Sequence, residues 1–175
     1  VGSLIGIVIT IPIFLIVGIC IKMTDGGPVI YQQTRLTKNG KKFQIYKFRT
    51  MKRGTENVAS NDLENANSKI TKFGKILRAT SIDELPQLFN ILTGSMSLIG
   101  PRPLIPEETE IRELRKNYNV YSVRPGITGW AQVNGRDNIS IENKALLDKE
   151  YVEKQSLKFD IKIFFKTIHQ VLRRE

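Results

Sequence analysis

Asp83 and Glu84 stand side by side within Ser81-Ile82-Asp83-Glu84-Leu85-Pro86-Gln87-Leu88-Phe89-Asn90. The stretch reads as the start of a helix, where the positive end of the backbone dipole keeps carboxylates ionised. Neighbours on a helix are about 100° apart. They cannot face each other across a substrate as the acid and base of a glycoside hydrolase do, which needs carboxyls roughly 5–10 Å apart on opposed walls. Two uses remain. Both side chains can converge on a phosphate or small cation beyond the helix end, one as nucleophile and the other positioning it or helping to hold Mg²⁺. Alternatively Ser81-x-x-Glu84 is a capping box, or Asp83 is itself the N-cap with Pro86 in the first turn. The residues alone leave both uses open.

Cations surround this stretch in the sequence. Arg78 precedes it, and Arg102 follows between Pro101 and Pro103. The prolines restrict the backbone and lower the entropy cost of holding a guanidinium still. Its planar fork suits bidentate binding of phosphate. Lys47 and Arg49 share one face of a candidate strand by the two-residue period and form a second pair for an anion. The chain carries 27 Lys and Arg against 17 Asp and Glu, a net charge of +10, which favours anionic partners. Nucleic acid is a poor candidate, because aromatic and basic residues rarely interleave and no recognition motif occurs. Cys20 is the single cysteine and His169 the single histidine. That pair excludes an internal disulfide framework and most Cys- or His-based metal sites.

The elements that must hold these groups follow from patterning. Leu4 to Ile21 is almost wholly apolar; as a helix it would be roughly 27 Å long against a hydrocarbon core of about 30 Å. Pro12, near its middle, should kink or break it. A membrane helix over 1–22 is therefore expected, followed by one domain over 23–175. Val1 rather than methionine opens the chain, which leaves room for a preceding segment. Val29 to Leu36 and Lys42 to Phe48 read as a β-hairpin around Asn39-Gly40. Residues 54–67 read as a loop. Helices are expected from Thr71 into the carboxylate stretch, with Gly94 ending it. Others are expected over 106–118, with Arg115 and Lys116 complementing its dipole, over 139–155, and from Phe159 onward. That last helix either closes the core or lies on an anionic bilayer surface. Residues 123–136 are too rich in Gly and Pro for a helix and read as an ordered loop with strand-like pieces, and Trp130 reads as core or membrane-interface packing. The fold class is α/β (α+β): a small, mostly helical domain with a β-hairpin and an N-terminal Pro-broken membrane helix.

Taken together, Tyr46-Lys47-Phe48-Arg49-Thr50-Met51, the Ser81–Asn90 stretch, Gly100-Pro101-Arg102-Pro103, Arg124-Pro125-Gly126-Ile127-Thr128-Gly129 and Gln132-Val133-Asn134-Gly135-Arg136 resemble the bacterial sugar transferase family. These are the monotopic phosphoglycosyl transferases, and the resemblance runs from Leu4 to the C-terminus. It implies a Mg²⁺-dependent enzyme of the bacterial inner (cytoplasmic) membrane, on its cytoplasmic face. Such an enzyme moves a sugar 1-phosphate from a UDP-sugar to polyprenol (undecaprenyl) phosphate and releases UMP. It would act in a bilayer without nucleic acid, and a homo-oligomer is compatible with it. The resemblance makes Asp83 the nucleophile that forms an aspartyl-phosphosugar intermediate, with Glu84 beside it and the metal at the pair. It places Arg102, Arg78, Lys47, Arg136 and Asp148 as substrate- or phosphate-binding residues, to which the strand period adds Arg49. It also implies that the apolar helix re-enters the leaflet, breaking at Pro12, although Ile11 stands where a serine is usual. The alternatives weighed against it are a basic membrane-tethered nucleic-acid-binding protein and a non-catalytic scaffold.

Overall fold

The computed structural model describes residues 2–55, 66–135 and 139–172. Backbone contacts divide the chain into two compact units, residues 1–33 with 45–92 and residues 34–44 with 93–175. This grouping by compactness cuts the chain differently from a boundary at residue 22.

The first unit begins with α1 (Gly2–Asp25). Helix continues through Pro12, so the expected break there is absent from the secondary structure. The proline removes one rung of the ladder without ending the helix. Residues Gly2–Thr24 are long and apolar enough to cross a membrane, and most of them are not buried. The face that is buried is specific. Val17 and Ile21 join Phe48 and Leu77 in one core cluster, with Phe14, Val29, Phe73, Ile82 and Leu85 packed against it. The hairpin strands are β1 (Ile30–Leu36) and β2 (Lys42–Phe48). Asn39 and Gly40 both take positive φ in the turn, as expected from an Asn-Gly pair. Most of the loop expected over 54–67 lies outside the described residues. The unit then holds the short α2 (Ala66–Lys69), α3 (Lys72–Ala79) and α4 (Gln87–Leu92). Thr71 caps α3 by accepting from the Gly74 amide at 2.9 Å. Gly94 follows α4 with φ 80°, in keeping with its expected role as a helix stop.

The second unit is built around a pairing that the sequence pattern did not show. Strands β3 (Ser97–Ile99) and β4 (Gly126–Thr128) pair in parallel, Ser97 with Gly126 and Ile99 with Thr128. A Cβ on Gly100 would strike the Arg124 carbonyl, and one on Gly129 would strike the Gly100 carbonyl. Two of the motif glycines are therefore required by close backbone approach. Around the pair lie α5 (Thr109–Asn117), α6 (Trp130–Val133), α7 (Ile141–Lys154) and α8 (Leu157–Leu172). The single turn of α6 corrects the expectation of no helix in 123–136. Trp130 is core, as expected: it packs with Ile99, Val133, Tyr151 and Ile163, and its Nε1 donates to Glu150 at 2.7 Å. α8 buries Ile163 completely and leaves Leu157, Ile161, Phe164, Phe165 and Ile168 exposed.

Candidate active site

The paired carboxylates ride on a single 3-10 turn, Ile82–Glu84, between α3 and α4, and not on the first turn of a longer helix. Ser81 enters the turn in the left-handed region, φ 57°, with no side-chain capping bond. The capping box of Ser81 and Glu84 therefore does not form. A serine held in this conformation costs on the order of 1–3 kcal/mol, which surrounding structure must offset. The anchors are Ile82 and Leu85, packed against the α1 cluster on either side of the pair.

Asp83 is 9% exposed. Burial pushes its carboxyl up from 3.8 to about 6, with Lys47 and Arg78 pulling it down and the adjacent Glu84 pushing it up. Lys47 reaches across from β2 and donates to Glu84 Oε1 at 2.8 Å, both side chains being partly exposed. Three bonds fix β2 and its exit here. The Tyr46 amide donates to Oδ1 of the buried Asn90 at 3.0 Å. Just beyond the strand, buried Thr50 accepts from Arg78 Nε at 2.9 Å through its hydroxyl and from the Thr71 amide at 3.0 Å through its carbonyl. α3 can approach Thr50 this closely only because residue 74 is glycine, since a Cβ there would strike the Thr50 carbonyl.

Asp83, Glu84, Lys47 and Arg78 are thus brought together in the first unit. Arg49 follows Lys47 by two residues in the sequence. β2 ends at Phe48, so the strand period no longer governs it, and its guanidinium lies over Gly27. In the second unit Arg102 is exposed between two buried prolines. Asp148 is 1% exposed and accepts from Arg115 Nε at 2.8 Å. Burial pushes the Asp148 carboxyl up while the Arg115 guanidinium pulls it down. Arg136 lies outside the described residues.

No three His, Cys, Asp or Glu side chains cluster among the described residues. The carboxylates offered at the site are Asp83 and Glu84. A hard-oxygen pair of this kind fits Mg²⁺, which takes one or two carboxylates and fills its shell with water and substrate phosphate.

Residues 1–174 match the family model described as bacterial sugar transferase. The chain belongs to that family. Among its relatives is the UDP-glucose:undecaprenyl-phosphate glucose-1-phosphate transferase of Escherichia coli (strain K12), 40% identical over 90% of this chain and 35% of that protein. The uncharacterized sugar transferase EpsL of Bacillus subtilis (strain 168) is 43% identical over 89% of this chain and 75% of its own length. The UDP-N-acetylgalactosamine-undecaprenyl-phosphate N-acetylgalactosaminephosphotransferase of Aeromonas hydrophila is 38% identical over 98% of this chain and 42% of that protein. This sugar transferase chain thus spans well under half of two of these three relatives.

Three site residues of this sugar transferase were not singled out from its sequence. Thr50 and Asn90 lie inside the quoted motifs, which was the available signal, but nothing in the pattern gave them the task of holding Arg78 and β2. Arg115 was read as a dipole-matching helix end. Its burial, 4% exposed, is a tertiary fact with no local trace.

Proposed function

We propose that this sugar transferase moves a sugar 1-phosphate from a UDP-sugar to a membrane polyprenol phosphate and releases UMP. The observation that carries the reading is the buried Asp83, with Glu84 bonded to Lys47 and with Arg78 acting on the same carboxyl. A carboxyl titrating near 6 is ionised at neutral pH yet more basic than an exposed one, which suits a nucleophile.

Asp83 attacks the sugar-proximal phosphorus of the donor. The bond from that phosphorus to the bridging oxygen breaks, and UMP leaves with the oxygen. A phosphate oxygen of the polyprenol phosphate then attacks the same phosphorus and displaces the Asp83 carboxylate, leaving a polyprenyl diphosphate sugar. Lys47 holds Glu84 beside the nucleophile and offsets its charge. Arg78, fixed by Thr50, adds positive potential where the donor's phosphates must come. Arg102 and Arg136 take phosphate-binding roles on the strength of the motifs that carry them. The family's chemistry implies dependence on Mg²⁺, which when bound neutralises phosphate charge, and Asp83 and Glu84 are the residues that would hold it.

The apolar α1 associates with the membrane. We assign it both ends on the cytoplasmic side, with Lys22 and the basic domain after it favouring that face. The division at residue 22 then separates membrane helix from catalytic domain. Nucleic-acid-binding and scaffold readings find no support in the family or its relatives.

The test is a panel of UDP-sugars offered with undecaprenyl phosphate and Mg²⁺ in lipid nanodiscs, scored by UMP release. At least one sugar should turn over, and Asp83→Asn should abolish the release. Near-normal turnover by that variant would sink the nucleophile assignment.

A further inference from the structure

We propose that Arg115 and Asp148 are positioning residues that aim the Arg102 guanidinium by fixing its backbone. The proposal rests on the reading above in which Arg102 binds donor phosphate. Residues 102–105 have no regular secondary structure, and neither Pro101 nor Pro103 has an amide proton to give. The backbone is instead held through its carbonyls, four in a row, each by a different donor. Pro101 O accepts from the Gly126 amide at 3.0 Å and Leu104 O from the Leu36 amide at 2.9 Å. Pro103 O accepts from Arg35 Nη1 at 3.1 Å, and Arg102 O from Arg115 Nη1 at 2.7 Å. Only one side chain of the Pro101–Leu104 stretch is exposed, and it is Arg102.

The donor to Arg102 itself is the unusual one. Arg115 and Asp148 form an ion pair that is 5% and 1% exposed. Asp148 Oδ2 takes the guanidinium, and Oδ1 has no hydrogen-bond partner among the described residues. Such a pair is a weak source of net stability, because desolvating two charges roughly cancels their attraction. Its effect is geometric. Asp148 holds the fork in one orientation, and the fork's remaining arm sets the carbonyl of the residue that carries the phosphate ligand. A displacement of about 1 Å at a binding group can cost on the order of a hundredfold in rate.

Arg115→Lys keeps a charge for Asp148 but lacks the planar fork that serves both partners. In nanodiscs its kcat/KM for the UDP-sugar should fall about tenfold or more. Introduced into Arg102→Ala, the same substitution should cause no further loss, because it acts only through Arg102. Equal losses in both backgrounds would mean general loosening and would overturn the proposal, as would wild-type kcat/KM in folded Arg115→Lys. A readout independent of turnover is amide exchange over residues 100–106. It should quicken there, and not in α3 or α4, for both Arg115→Lys and Asp148→Asn. Unchanged exchange at 100–106 in a folded variant defeats the proposal. A wild-type protein that turns over no UDP-sugar would instead defeat the parent reading, and the exchange measurement would still decide the backbone clamp.

Discussion

Replacing Asp83 with asparagine separates what this residue does for the chemistry from what it costs the fold. Burial lifts the carboxyl from 3.8 to about 6. At about 1.4 kcal/mol per pH unit, keeping it ionised above that value costs the folded state about 3 kcal/mol. The sign follows from the raised value: the contribution is complete below about pH 4 and is lost as pH rises through about 6. Asparagine carries no charge at any pH. From pH 4 to pH 8 the stability of Asp83→Asn relative to wild type should therefore rise by about 3 kcal/mol, roughly 6–12 °C in Tm for a chain of this size. Thermal unfolding of both proteins in one detergent, with EDTA present to keep Mg²⁺ off the carboxylates, measures it. A difference that stays constant with pH refutes burial as the cause. The variant should be the more stable protein at pH 8 and an inactive one, the trade-off expected where a nucleophile is kept dry.

Wild-type UMP release should rise with pH through an acid limb near 6. Lys47→Met removes the strongest downward pull on Asp83, so that limb should move to higher pH and turnover should fall, both visible in a pH–rate profile. Gly74→Ala places a methyl against the Thr50 carbonyl and should destabilise by about 1–3 kcal/mol, read as a lowered Tm. Chelation should stop UMP release reversibly without unfolding the protein, since the described residues contain no cluster of three metal-ligating side chains. A cysteine placed at Ser3 should resist a membrane-impermeant label added from the outside, and labelling there would contradict the cytoplasmic placement of both helix ends.

The parts of the fold legible in the sequence are those whose signal is local. Asn39-Gly40 announces the hairpin because both residues tolerate positive φ, and Leu4–Ile21 announces the apolar helix by length alone. The β3–β4 pairing has no such signal. Each strand is three residues long, too short for alternation to register, and its partner lies far along the chain. The trace it leaves is Gly100 and Gly129, which read as family motif and turned out to be contact points between backbones. The site divides similarly. Residue type pointed to Asp83 and Lys47, whereas Ser81 in the left-handed region and Arg115 buried against Asp148 follow from neighbours that no sequence window contains. Arg49 lies one residue past the end of β2, so the strand period alone does not set its direction.

The packing of α1 has a consequence for where this protein can work. Val17 and Ile21 are nearly inaccessible, and they share their cluster with Ile82 and Leu85, the residues flanking Asp83 and Glu84. Phe14 touches Phe48 at 5.0 Å and Phe89 at 5.8 Å between ring centroids. The same helix that exposes an apolar surface fit for lipid is also the floor beneath Asp83 and Glu84. Trimming it away to obtain a water-soluble enzyme would remove that floor along with the anchor. Membrane anchoring and support of the Asp83–Glu84 turn thus fall to one helix.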